Sequence, residues 1–194
     1  VEAILDAAEL VIGEAGVEAA TTNAIAERAG ASVGSLYHFF PNKDAILQAL
    51  TLRYAEAMRS VLRRELRMEE PWVPLEELFP QMINSFAALD HEYPGYMAVC
   101  RATDSASGGK SPISLQTEAY MQQLVRTLLL RRLPGIPEAE AMQHAVLSVV
   151  VVHATLDHIG SVPESDRAGL RAALVEMLVR YFTPIEAKYP RSAN

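Results

Sequence analysis

Residues 27–47 read ERAGASVGSLYHFFPNKDAIL. Two apolar helical patterns meet there, yet the joint carries Gly30, Gly34, Tyr37, His38 and Lys43 within fourteen residues. A plain helix–loop–helix joint needs only a glycine and a polar residue or two. Gly30 permits the positive φ of a tight turn. Ser32 is a candidate N-cap for a helix from Val33 to about Phe39, because its hydroxyl can accept from orphan backbone N–H groups. Pro41 and Asn42 break that helix, and Asn42 caps a long one that starts at Lys43 and reaches Arg67. Upstream, Thr21 is placed to cap a short helix from Thr22 to Ala29, with Ala24, Ile25 and Ala29 inward. The stripe Ile4, Leu5, Ala8, Val11, Ile12, Ala15 is one buried face of a first helix, closed at Gly16.

Two short helices across a tight turn make a helix-turn-helix. Where this motif binds DNA, the second helix lies in the major groove with its leading residues at base edges. The side chains here suit that work. Val33 and Ser35 lie at the helix start, and Val33 suits a thymine methyl. Gly34 has no side chain, so a duplex can come close. Ser32 reaches a phosphate as well as capping. Tyr37 and His38 carry polar tips on flat rings, suited to phosphate oxygens. Lys43 adds a cation at a helix start. Thr21, Thr22 and Asn23 offer hydroxyls, an amide and backbone N–H groups at the first short helix. Each residue alone also fits a duller role: turn glycines, a packed tyrosine with a wet hydroxyl, a solvated lysine. The ordered combination is what points to DNA.

The rest of the chain keeps a period of 3.6. Pro71 and Pro74 mark a connection. A helix from Leu75 to His91 is interrupted or kinked at Pro80, and Pro94 opens a short helix over GYMAVCRAT. Residues 104–112, DSASGGKSP, read as a flexible loop. A long helix over ISLQTEAYMQQLVRTLLLRRL follows, then helices at 138–160 and 164–182. The expected fold is all-α, with about nine helices and no strand or repeat.

Phe79, Met82, Phe86, Tyr93, Tyr96, Met97, Cys100, Tyr120, Met121 and Leu124 cluster on the three central helices. They read either as an ordinary core or as a ligand cavity, apolar with a few polar groups. The last two helices carry Met142, Val146, Val149, His153, Leu156 and then Leu170, Leu174, Met177, Leu178, Tyr181. A helix apolar nearly all round needs cover on two sides. A second copy of the chain supplies it in a four-helix interface; a monomeric core is the alternative. The Arg63, Arg64, Arg67 group and Arg131–Arg132 read as solvated faces.

Composition narrows the classes. Half of the 194 residues are apolar and 21% are charged, an ordinary globular balance. The net charge of −7 excludes a polycation, so any nucleic-acid contact has to be local. Cys100 is the single cysteine, which excludes an internal disulfide and leaves no zinc spacing. His144, His153 and His158 lie along one helix without an i,i+4 pair, so no metal site is expected. The run at 145–156 is too short and too polar to span a bilayer, and the opening residues lack the basic start of a leader. A cytoplasmic, membrane-free protein without cofactor is expected. Nothing supports catalysis: no nucleophile–base pair, no phosphate loop, no metal spacing.

The stretch ATTNAIAERAGASVGSLYHFFPNKDAILQAL (20–50) resembles the DNA-binding domain of TetR-type transcriptional repressors. The resemblance rests on Ile25-Ala26, Ala29-Gly30, Ser32, Gly34, Leu36-Tyr37, Phe39-Phe40 and Lys43, in order and spacing. It implies a DNA-binding domain over 1–50 and an effector-binding and dimerisation domain over 51–194. It also implies a homodimer on a pseudo-palindromic double-stranded operator, and a small, largely apolar effector in the cavity. Three features depart from the family pattern. Val33 stands where a basic residue is common, and Phe39 where His or Tyr is. Residues 1–50 hold Arg28 and Lys43 against Glu2, Asp6, Glu9, Glu14, Glu18, Glu27 and Asp44, two positive against seven negative. A basic arm is therefore expected upstream of Val1. A helical enzyme or carrier, or a family member that has lost DNA binding, remains open at this stage.

Overall fold

A computed structural model describes residues 1–66 and 72–190. Among them lie nine α-helices and no strand: α1 (Glu2–Ala19), α2 (Thr22–Arg28), α3 (Val33–Phe39), α4 (Lys43–Glu65), α5 (Leu75–Glu92), α6 (Tyr96–Ala106), α7 (Pro112–Arg132), α8 (Glu138–Ser161) and α9 (Glu164–Lys188). Arg67 and Pro71 lie outside the described residues. The helices gather into two compact units. One takes residues 1–58 and 88–116, the other 59–87 and 117–194.

The first unit is built on the faces the sequence makes apolar. Ile4, Leu5, Ala8 and Ile12 of α1, Ile25 and Ala26 of α2, Leu36 of α3, and Ile46, Leu47, Leu50 and Tyr54 of α4 share one core, which Val99 of α6 joins. Ala26 takes the inward place beside Ile25 that the pattern assigned to Ala24 and Ala29, which are half-buried. The regular turns of α1 break at Gly16, whose φ of 81° belongs to the left-handed region. Thr21 caps α2 by accepting from the Ala24 N–H at 3.2 Å. Ser32 caps α3 by accepting from Ser35 at 3.0 Å, and Asn42 caps α4 by accepting from Ala45 at 2.9 Å. α6 approaches α1 where a side chain is missing: a Cβ on Gly95 would stand 3.2 Å from the Glu9 carbonyl oxygen.

α6 runs further than its opening motif suggested, and the loop after it is short. The Asp104 carboxylate accepts from the Ser111 N–H at 2.9 Å and the Ser114 hydroxyl at 2.7 Å, which ties the end of α6 to the start of α7. Of the expected flexible loop, Asp104, Ser105 and Ala106 belong to α6 and Pro112 opens α7, so the connection itself is 107–111.

The second unit buries Leu78, Phe79, Met82, Ile83 and Phe86 of α5, Leu128 and Leu129 of α7, Ala141, Ala145 and Val149 of α8, and Leu174, Leu178 and Phe182 of α9. Phe79 and Phe182 meet with ring centroids 5.6 Å apart. α5 passes through Pro80 and α9 through Pro184, so neither helix ends where its proline falls. Arg132 is not on a solvated face. It is buried, bonded to Glu186, and donates to the Val73 carbonyl at 2.6 Å.

Candidate nucleic-acid interface

α3 is seven residues long and turns a single side chain inward. Leu36 is wholly buried, while Val33, Gly34, Ser35, Tyr37, His38 and Phe39 are all exposed. At about 100° per residue, Gly34 and His38 fall opposite Leu36. Tyr37 and Ser35 flank that outward face on either side, and Val33 and Phe39 lie nearer the buried line, about 60° from Leu36. The turn before it depends on Gly30, whose φ is 63°. That conformation costs most residues about 1 kcal/mol or more and glycine almost nothing.

The polar side chains are organised around this face. The Tyr37 hydroxyl lies 3.2 Å from Thr22 Oγ1, so the tip of α3 meets the start of α2. One of the two hydroxyls donates to the other, which leaves the second hydroxyl's proton free for a phosphate oxygen placed against the pair. Thr21 and Asn23 are exposed beside them. The Ser32 hydroxyl lies 2.8 Å from that of Ser35, which fixes both at the helix start. His38 and Phe39 meet edge to face, with centroids 5.1 Å apart.

Charge is arranged differently from the expectation. Lys43 does not point outward: it is half-buried, and its ammonium donates to the carbonyls of Val17 and, at 3.4 Å, Glu18. There it satisfies the carbonyl end that the break at Gly16 leaves open, as a cation at a helix C-terminus does. Arg28 is paired with Glu14. Arg53 donates to Asp6 at 2.6 Å and to Glu2 at 2.5 Å, and stands 3.6 Å from Glu9. Burial pushes the Glu9 carboxyl above the usual carboxylate range, against the pull of Tyr54 and Arg53. The outward face itself carries hydroxyls, rings and one apolar side chain, and no charged group.

The residues expected to line an effector cavity divide between the units. Phe79, Met82, Phe86 and Met121 are buried in the second unit with half-buried Leu124. Tyr120 accepts from Arg63 at 3.0 Å, and the Arg59 guanidinium lies over its ring. Tyr93, Tyr96, Met97 and Cys100 belong to the first unit, where both tyrosines meet Tyr54 edge to face. Among the described residues no three His, Cys, Asp or Glu side chains gather as metal ligands.

The residues expected at a subunit contact also separate. Val149, Leu174 and Leu178 are buried within the chain, and the Tyr181 hydroxyl bonds His144 Nδ1 at 2.6 Å. Met142, Leu156 and Leu170 are half-buried, and His153 is exposed. Val146 and Met177 stay outward, joined by Leu147 and Val150, which the periodicity missed. Among the described residues α8 is the one helix long and apolar enough to cross a bilayer by length and composition, and 22% of its apolar window is buried inside the chain.

Residues 4–50 match the family described as "Bacterial regulatory proteins, tetR family", and residues 74–182 match "Tetracyclin repressor-like, C-terminal domain". The chain belongs to the TetR family. The family whose model matches residues 4–50 is one of bacterial regulatory proteins. The HTH-type transcriptional regulator UidR of Escherichia coli (strain K12) is 33% identical over 96 residues, covering 50% of this chain and 45% of UidR. The chain thus spans under half the length of the curated relatives it matches. A transcriptional regulator from Rhodococcus sp. Rha1 shares the TetR fold at a TM-score of 0.73 and 21% identity, over 94% of this chain and 96% of that one. The fatty acid degradation regulator FadR from Bacillus halodurans shares it at a TM-score of 0.64 and 22% identity, over 92% of each chain.

Proposed function

We propose that this TetR-family chain is a one-component, ligand-responsive repressor that acts as a homodimer in the cytoplasm. Residues 1–50 bind DNA, and residues 51–194 bind the effector and dimerise. The observation that carries the reading is α3, a short helix with one side chain inside and the rest presented outward. Two copies of that helix, about 34–36 Å apart, enter successive major grooves of a pseudo-palindromic operator. Val33, Gly34, Ser35 and His38 face base edges. Thr21, Thr22, Asn23 and Tyr37 hold phosphates, while Ser32 and Lys43 keep the two short helices in place. The exposed apolar face of α8 and α9, with Val146, Leu147, Val150 and Met177, supports dimerisation, because an open apolar stripe of this kind is stable only when covered.

A small, largely apolar effector binds in the second unit among Phe79, Met82, Phe86 and Met121, with Tyr120 as a polar group. Its effect is linkage: an effector that binds better when the two DNA-binding heads are apart lowers operator affinity by the same differential free energy. The test is selection of duplexes by the full chain from a random-sequence pool, followed by sedimentation of the complex. Two chains on one two-fold-related site support the reading. One chain per duplex, or no enriched duplex, contradicts it. A hydrophobic compound library read by thermal shift then finds the effector. Compounds that bind to saturation without changing operator affinity contradict the switch.

A further inference from the structure

We propose that Val33 and Gly34 form an uncharged reader of thymine methyl groups, so that each operator half-site carries a thymine under the first turn of α3. This rests on the DNA-binding reading and specifies its target.

Residues 29–42, from the end of α2 to the start of α4, contain no Asp, Glu, Lys or Arg. The bidentate contact of Arg or Lys with guanine is therefore unavailable from α3, and so is the carboxylate contact with cytosine. Asn42 is occupied as the cap of α4, so no amide from this stretch reaches adenine. What α3 does present at its start is Val33, a branched apolar side chain 39% exposed.

Gly34 carries the argument further. Its φ is not in the left-handed region, and a Cβ there would meet nothing closer than Ser32 Oγ at 3.9 Å. Nothing inside the chain excludes a side chain at that position. A helix gives up stability to hold a glycine, and here no internal packing or turn explains it. The glycine lies opposite Leu36, at the outermost line of the helix, where a missing side chain lets the backbone sit close against a partner. A close backbone with an apolar side chain beside it suits one group in the major groove. Among the four base-pair orientations, only the thymine edge offers an exposed methyl there.

The test uses the full chain and the duplex it enriches from a random-sequence pool. Each thymine is replaced in turn by deoxyuridine, which removes the methyl and nothing else. At one thymine per half-site the replacement should weaken binding about 4-fold, the equivalent of about 0.8 kcal/mol for one buried methyl group. Replacing both symmetric thymines should weaken it about 16-fold. Val33→Ser should bind the thymine and deoxyuridine duplexes alike. An enriched duplex that tolerates deoxyuridine everywhere overturns the inference and leaves DNA binding standing. A Val33→Ser chain that keeps the full deoxyuridine penalty also overturns it. Enrichment of no duplex overturns the DNA-binding reading and this inference together. The deoxyuridine series on the unaltered chain decides the matter even if Val33→Ser does not fold.

Discussion

Gly34→Ala separates the two demands on α3, folding and docking. Glycine in a helix costs about 0.5–1 kcal/mol relative to alanine. The added Cβ meets only Ser32 Oγ at 3.9 Å, an ordinary contact, so the substitution introduces no clash. The fold should therefore gain up to about 1 kcal/mol, with the low end favoured so near the helix start, and Tm should rise by about 1–4 °C in a chain of this size. DNA binding should move the other way. The new methyl stands at the outermost line of the helix, where it holds the backbone off the base edges. Losing a base contact costs about 1–3 kcal/mol, so operator affinity should fall by about fivefold to about 150-fold. Thermal melts by circular dichroism and anisotropy titration of the selected duplex measure the two effects on one sample. Ser32→Ala is the contrast, because it removes the cap and should cost about 1 kcal/mol of stability. A Gly34→Ala chain that melts lower would refute the claim that the glycine has no internal role. One that binds the duplex unchanged would refute the close approach.

Tyr37→Phe and Thr22→Val each remove one hydroxyl of the pair 3.2 Å apart, and each should weaken binding to all duplexes by a similar factor, without changing base preference. A double-mutant cycle should show coupling, and strictly additive losses would contradict a shared phosphate. Glu9→Gln tests the buried carboxyl of α1. Because the folded-state pKa lies above the unfolded one, the folded chain holds more protons, and stability falls as pH rises from the usual carboxylate range through the raised value. The glutamine variant should lose that slope and melt higher than the parent above this window; a parallel pH profile would contradict the assignment. Leu147→Glu, on the open apolar face of α8, should convert dimers to monomers in sedimentation without lowering helix content. A variant that stays dimeric would place the interface elsewhere.

The parts of this fold legible in the sequence are those whose partners lie within a few residues. Thr21, Ser32 and Asn42 each cap a helix three residues ahead, and a capping side chain announces itself by type and position. The single inward residue of α3 follows from its length and pattern. Partnerships across long stretches of chain left no such trace. Lys43 reaches back to Val17, and Arg132 reaches Glu186 and Val73, so an exposed-looking cation is spent inside the fold in both cases. Periodicity marks α8 as apolar on several sides but does not say which side its neighbour takes. Val149 went inward with Leu174 and Leu178, while Leu147 and Val150 stayed outside. Serines and glycines at 104–112 suggested a loose loop because composition does not register that the Asp104 carboxylate gathers Ser111 and Ser114.

The central claim is that the outward face of α3 is where DNA sits. Photocrosslinking tests it most directly: the selected duplex is prepared with 5-iodouridine at each thymine in turn, irradiated with the full chain, and the linked peptide sequenced. The account predicts attachment within Val33–Phe39, strongest at His38. Attachment confined to residues outside 21–43 would contradict it.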